Sequence, residues 1–194
     1  MVEHNIKRYV SAIVVVFLLF FLLVCAAKQT LPTGVVDFLR TMSAAISITT
    51  IIVTTFVSWA WRFRIFRGWL VPVPNLNGDW EGCIKYNYAG KDTSRKIKVH
   101  IKQTFTSINV KLETKESKSK SFCGSFNIDK NRGEKQLIYS YFNEPDVKYR
   151  NRSPLHYGTT KLDISQDNKK MEGEYWTNRY SGGTITLKKM SARK

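Results

Sequence analysis

Histidine and cysteine are scarce, with three of each in 194 residues, and neither is clustered. His4, His100 and His156 lie far apart, and the chain has no HExxH, GxSxG, Walker A or GxGxxG run. Metalloprotease, serine-type and phosphate-loop chemistries therefore lack their residues. Cys25, Cys83 and Cys123 are too widely separated for a CxxC knuckle or a dense disulfide framework. A single Cys83–Cys123 bridge fits the spacing, but three reduced cysteines are the simpler reading. An enzyme built from this chain would have to work with Asp, Glu, Lys or Tyr alone, so no catalytic role, cofactor or metal is expected.

Charge is missing from two long stretches. Val10 to Ala27 gives eighteen residues without a formal charge, and Thr41 to Trp61 gives twenty-one more. At about 1.5 Å per residue, each is long enough to cross a hydrocarbon core about 30 Å thick. A secretory signal peptide would explain the first, since Lys7 and Arg8 precede it and Cys25-Ala26-Ala27 end it with small residues. The second run, which ends in interfacial tryptophans, favours a pair of transmembrane helices at about 9–27 and 41–61 within a region covering 1–70. Lys7 and Arg8 before the pair, and Arg62, Arg64 and Arg67 after it, outweigh Lys28, Arg40 and Asp37 in the loop. The positive-inside tendency then places both termini and everything downstream in the cytoplasm.

The two spans differ in surface chemistry. The first is a Val/Leu/Phe rod, whereas the second carries Ser43, Ser47, Thr49, Thr50, Thr54, Thr55 and Ser58. Small and hydroxylated residues permit close helix contact, either within one hairpin or between subunits. Neither span holds a charge that would serve an ion or proton pathway.

Helical periodicity is absent after Trp80. Pro72 and Pro74 give a stiff linker at 71–75, and the domain at 76–194 alternates apolar and polar residues in short runs. Strands are predicted at Trp80–Tyr86, Lys96–Lys102, Phe105–Thr114, Phe122–Ile128, Leu137–Phe142, Gly158–Ile164, Met171–Thr177 and Thr184–Lys188, separated by turn-like sequences such as Ser181-Gly-Gly. In the fourth, Phe122, Gly124, Phe126 and Ile128 share one face. Eight short strands in sequence predict a membrane-anchored all-β protein, with a two-helix transmembrane hairpin followed by a compact eight-stranded antiparallel meander β-barrel. An open sandwich is the alternative. A closed barrel of this size can enclose one small ligand.

Beyond Val73 there are 24 Lys and Arg against 13 acids, a net charge of +11. That excess favours an anionic partner such as nucleic acid, a nucleotide or phospholipid headgroups. Polar and aromatic residues gather in the later half, where arginine can fork onto phosphate and aromatic faces can stack on bases. The candidate ligand-binding residues are Arg179, Tyr180, Tyr139, Tyr141, Asn143, Arg152, His156 and Tyr157. For the tyrosines, core or rim packing is the competing explanation; for Arg179 it is a surface salt bridge. Gly182-Gly183 reads as a hairpin turn. In KLETKESKSK, from Lys111, the two glutamates oppose a nucleic-acid stripe; Ser117, Ser119 and Ser121 either line a polar pocket or belong to a solvated hairpin.

Several phrases, in order, resemble a known family: LNGDWEG from Leu76, IKQTF from Ile101, LETKESKS from Leu112, LIYSYFN from Leu137, HYGT from His156 and GEYWTNRYSGG from Gly173. Behind a two-helix anchor, they are similar to the CD-NTase-associated two-transmembrane, β-strand-rich effectors of bacterial cyclic-oligonucleotide anti-phage signalling. The resemblance covers essentially the whole chain. It implies a multi-pass protein of the bacterial inner membrane whose barrel binds a cyclic dinucleotide made by a partner CD-NTase. Binding would drive self-association and disruption of the membrane lipid, leading to cell death, with no DNA or RNA polymer as partner. The same residues also fit a lipocalin-like barrel for a lipid or amphiphile, a filled scaffold barrel, or a nonspecific nucleic-acid binder.

Overall fold

The chain opens with two helices, α1 (Val2–Lys28) and α2 (Val35–Ser58). The computed structural model describes residues 2–88, 90–129, 131–151 and 153–191, and it divides into two units, Met1–Pro72 and Val73–Lys194. Both helices contain segments long and apolar enough to cross a membrane, Lys7–Lys28 and Val35–Ser58.

The second helix starts six residues before the expected 41. Gly34 is extended at φ −145° and ψ 163° and forms the N-cap, while Asp37 in the first turn suits the positive end of the helix dipole. Arg40 therefore lies inside the helix rather than in the loop. The far end stops at Ser58, short of 61, because Trp59 leaves helical geometry and two 3-10 turns follow at Ala60–Arg62 and Arg64–Phe66. Lys28 Nζ donates to Asp37 Oδ1 at 2.7 Å and to Thr41 Oγ1 at 2.9 Å, tying the hairpin at its loop. Thr41, Ala45 and Thr49 form one buried face of α2.

Eight strands make up the second unit: β1 (Gly78–Tyr88), β2 (Lys91–Gln103), β3 (Ile108–Glu113), β4 (Ser117–Asp129), β5 (Glu134–Pro145), β6 (His156–Ile164), β7 (Lys170–Thr177) and β8 (Gly182–Lys189). Each pairs antiparallel with its sequence neighbour, and β8 returns to pair with β1, so the meander closes as a barrel. The fold is the expected one rather than a sandwich. Its strand limits differ in places. Phe105 falls in the turn between β2 and β3, where Thr104 N donates to Ser107 O. β8 already includes Gly182 and Gly183, so the preceding turn falls at 178–181.

β4 departs most from the sequence reading. It begins at Ser117, and a bulge between Ser121 and Cys123 shifts its register against β5. An extra residue in one strand reverses which parity faces inward. Ser119 is consequently buried in the first half, and Gly124, Phe126 and Ile128 turn inward in the second. Phe122, expected beside them, is ejected and is 66% exposed. Ser121 repairs the interrupted ladder by accepting from Val110 N at 2.8 Å. The cysteines are free, with Cys25 buried and Cys123 exposed, so no bridge joins Cys83 to Cys123.

One end of the barrel is filled. Trp80, Leu137, Leu162, Met171 and Leu187 pack there with Val99 and Ile101. Leu76 seals that end: its N–H donates to Gln103 Oε1 at 2.8 Å and its carbonyl accepts from Trp80 Nε1 at 2.9 Å. Gln103 Nε2 donates onward to Pro74 O. The Trp80 indole N–H and the Gln103 side-chain amide are thus both hydrogen-bonded, as burial requires.

Candidate functional site: a cavity in the barrel mouth

Inward positions near the opposite end leave a cavity of about 560 Å³, within the range of about 300–1,000 Å³ usual for small-molecule sites. Its apolar floor includes Ile84, Val110, Leu112 and Ile185. Above the floor stand Tyr86, Tyr139, Tyr141 and Tyr175, and the rim carries Arg95, Glu116 and Arg179.

The tyrosines are placed by strand parity and by glycine. Tyr139 and Tyr141 alternate inward on β5, with ring centroids 6.1 Å apart. Tyr141 pairs with Gly158 of β6, where a Cβ would run into the Tyr141 hydroxyl. Gly183 serves Tyr175 similarly, since a Cβ there would press on the ring edge and on Tyr86. Burial pushes the Tyr139 hydroxyl up to about 12. Tyr141 and Tyr175 are also raised, chiefly by burial. All three remain neutral phenols at pH 7, offering hydroxyl groups and ring faces without charge.

Beside them, Ser119 Oγ donates to Asn143 Oδ1 at 2.7 Å, both residues being buried. His156, opposite Asn143 in the β5–β6 ladder, has Nδ1 3.0 Å from Pro154 O. A carbonyl only accepts, so Nδ1 carries the proton and the neutral ring keeps Nε2 as an acceptor. Burial lowers the His156 pKa, the Pro154 carbonyl opposes that shift, and the Arg179 charge adds to it.

At the rim, Arg95 Nη1 lies 2.7 Å from Glu116 Oε2, and its guanidinium sits over the Tyr86 ring at 5.8 Å. The hydrogen bond that Arg95 donates to Glu116 is the main cause holding the Arg95 pKa above its usual value. On the β7–β8 turn, Thr177 and Ser181 hydroxyls meet at 2.7 Å and Arg179 N donates to Thr177 Oγ1 at 3.2 Å, fixing the backbone that carries Arg179.

Of the eight candidate residues, Arg179, Tyr139, Tyr141, Asn143 and His156 come together around this cavity. Tyr157 does not, because alternation turns it outward once His156 faces in; it is 56% exposed and packs edge-on to Phe122, 6.2 Å between centroids. Tyr180 projects fully into solvent from a turn position with φ +57°. Arg152 lies outside the described residues. The sequence reading missed Arg95, Glu116 and Thr93. The parity that buries Ile97, Val99 and Ile101 would have found two of them, since continuing it backward by two and four residues reaches Arg95 and Thr93. Ser117 and Ser119 line the cavity, the pocket alternative for that segment.

Two curated relatives align over most of the chain. CD-NTase-associated protein 15 of Staphylococcus schleiferi is 28% identical over 189 residues, covering 97% of each chain. The protein of that name from Escherichia albertii is 28% identical over 185 residues, covering 92% of this chain and 86% of its own. Residues 71–189, which include every strand and the whole cavity, match the family described as Cap15, cyclic dinucleotide receptor domain, and the chain belongs to that family.

Proposed function

We propose that this chain is an effector of cyclic-oligonucleotide anti-phage defence. Its barrel binds a cyclic dinucleotide supplied by a partner CD-NTase, and binding triggers self-association and disruption of the bacterial inner membrane. The observation that carries this reading is the cavity: aromatic rings, buried neutral donors and acceptors, and two rim arginines inside the segment that matches a cyclic dinucleotide receptor domain. A receptor-domain match also favours a non-catalytic role. Tyr139, Tyr141 and Tyr175 suit base stacking, Asn143 and His156 suit base edges, and Arg179 suits a phosphate.

α1 and α2 span the membrane in this reading, with both termini and the barrel in the cytoplasm. The ligand promotes assembly only if it binds the associated state more tightly than the single copy. Isothermal calorimetry of the full chain in detergent, across a panel of cyclic dinucleotides, tests the first step. At least one should bind with micromolar or better affinity. Folded protein that gives no heat with any of them, yet takes up a fatty acid or other amphiphile, would replace this reading with the lipocalin-like one.

A further inference from the structure

A pocket for an anionic ligand would be expected to avoid carboxylates, yet Glu116 stands in its rim. Among the described residues that line the cavity, Glu116 is the one acid, against Arg95 and Arg179. It is held there from three directions. Its carboxylate is 2.7 Å from Arg95, its N–H donates to Thr114 Oγ1 at 3.1 Å, and its carbonyl accepts from Asp146 N at 2.9 Å. The last contact ties the β3–β4 turn to the β5–β6 connection, so the backbone beneath Glu116 is braced by two rim segments. Such a carboxylate is a fixed negative charge at the mouth, and it also occupies one edge of the Arg95 guanidinium.

We infer that Glu116, positioned by Arg95, is a charge filter that makes the cavity select cyclic over linear dinucleotides. This inference rests on the cyclic-dinucleotide reading above. In a cyclic dinucleotide both phosphates are diesters, each with a single negative charge. Ring opening by water keeps the same bases and the same two phosphates but converts one diester to a monoester, which carries about −1.5 to −2 at pH 7. The added charge meets a carboxylate already in place, whereas two diesters are served by Arg179 and the exposed side of Arg95. Rejecting close relatives by placed repulsion is a common source of specificity. A linear 5′-phosphorylated dinucleotide and a nucleoside triphosphate both carry the feature that Glu116 repels.

The test compares one cyclic dinucleotide that binds in the panel with its linear 5′-phosphorylated form, on full-length wild type and Glu116→Gln in the same detergent. The wild type should prefer the cyclic form. The variant should lose roughly tenfold of that preference, mainly by binding the linear form more tightly, as expected for one charge pair at a half-solvated mouth. The difference in preference between wild type and variant should also shrink as salt rises toward 1 M, where the screening length falls to about 3 Å. An equal preference in both proteins at low and at high salt would leave Arg95–Glu116 as a rim strut and overturn the filter. If wild type binds no cyclic dinucleotide, the underlying reading falls and the filter with it; if it binds one but shows no charge-dependent preference, only the filter falls.

Discussion

His156 illustrates how the cavity sets the state of a single group. Burial, with help from the Arg179 charge, holds its pKa below the ordinary 6.5. A base with a depressed pKa in the folded state contributes its full stability above the unfolded pKa. As pH falls below about 6.5, the unfolded chain takes up the proton first, so stability is lost until the folded pKa is passed. The unfolding temperature of the barrel should therefore drop between pH 7.5 and pH 5.5. In His156→Gln, which keeps a polar side chain but cannot titrate, that drop should be smaller. Differential scanning fluorimetry in detergent reads both, and parallel pH profiles for the two proteins would remove His156 as the source.

At the scale of the strand, period-two alternation specifies which residues meet in the interior, and the eight strands were legible because Ile97/Val99/Ile101 and Ile108/Val110/Leu112 display it cleanly. The β4 bulge was not legible: an inserted residue leaves no compositional trace, so Phe122 carried the parity of the core and still points outward. Site residues chosen by composition rather than parity were sorted by the strand itself, which kept His156 inside and turned Tyr157 out. The start of α2 was hidden for a different reason. Asp37 and Arg40 look like loop residues, although a charge in the first turns of a helix is favourable or tolerated.

Glycine at position 158 belongs to this same scale, because its role is defined only by the partner strand. Gly158→Ala places a methyl group against the Tyr141 hydroxyl and the Trp176 carbonyl. Overpacking of this kind costs about 1–3 kcal/mol. The Tyr141 hydroxyl, which lines the cavity, must also shift, so ligand affinity should fall together with stability. Calorimetry and thermal unfolding on the same preparation check the pair. Full affinity in a destabilised protein would show that the position of Tyr141 is not used in binding.

For the whole molecule, the barrel separates two ends. The chain enters at the plug formed by Pro74, Leu76 and Gln103, and the cavity opens at the other end, among the β3–β4 and β7–β8 turns. A ligand in that mouth is remote along every strand from the linker. If the proposed function holds, self-association of barrels is a more direct way to act on α1 and α2 than a signal passed through a rigid, filled core. The helices differ in their fitness for such a response. Thr41, Ala45 and Thr49 face inward, whereas Ser43, Ser47 and Thr50 are exposed on another face of α2. Those exposed hydroxyls donate to carbonyls four residues back, Leu39, Ser43 and Ile46, at 2.8–2.9 Å. Satisfied in this way, they cost little in lipid and leave a surface of small side chains that another helix can approach closely. Replacing residues 35–58 with an unrelated poly-Leu span of equal length should therefore preserve ligand binding and membrane insertion but abolish ligand-dependent leakage. Dye release from proteoliposomes, with binding measured on the same protein, decides the matter. Undiminished release would make α2 interchangeable with any apolar span and remove it as the specialised element of the proposed membrane disruption.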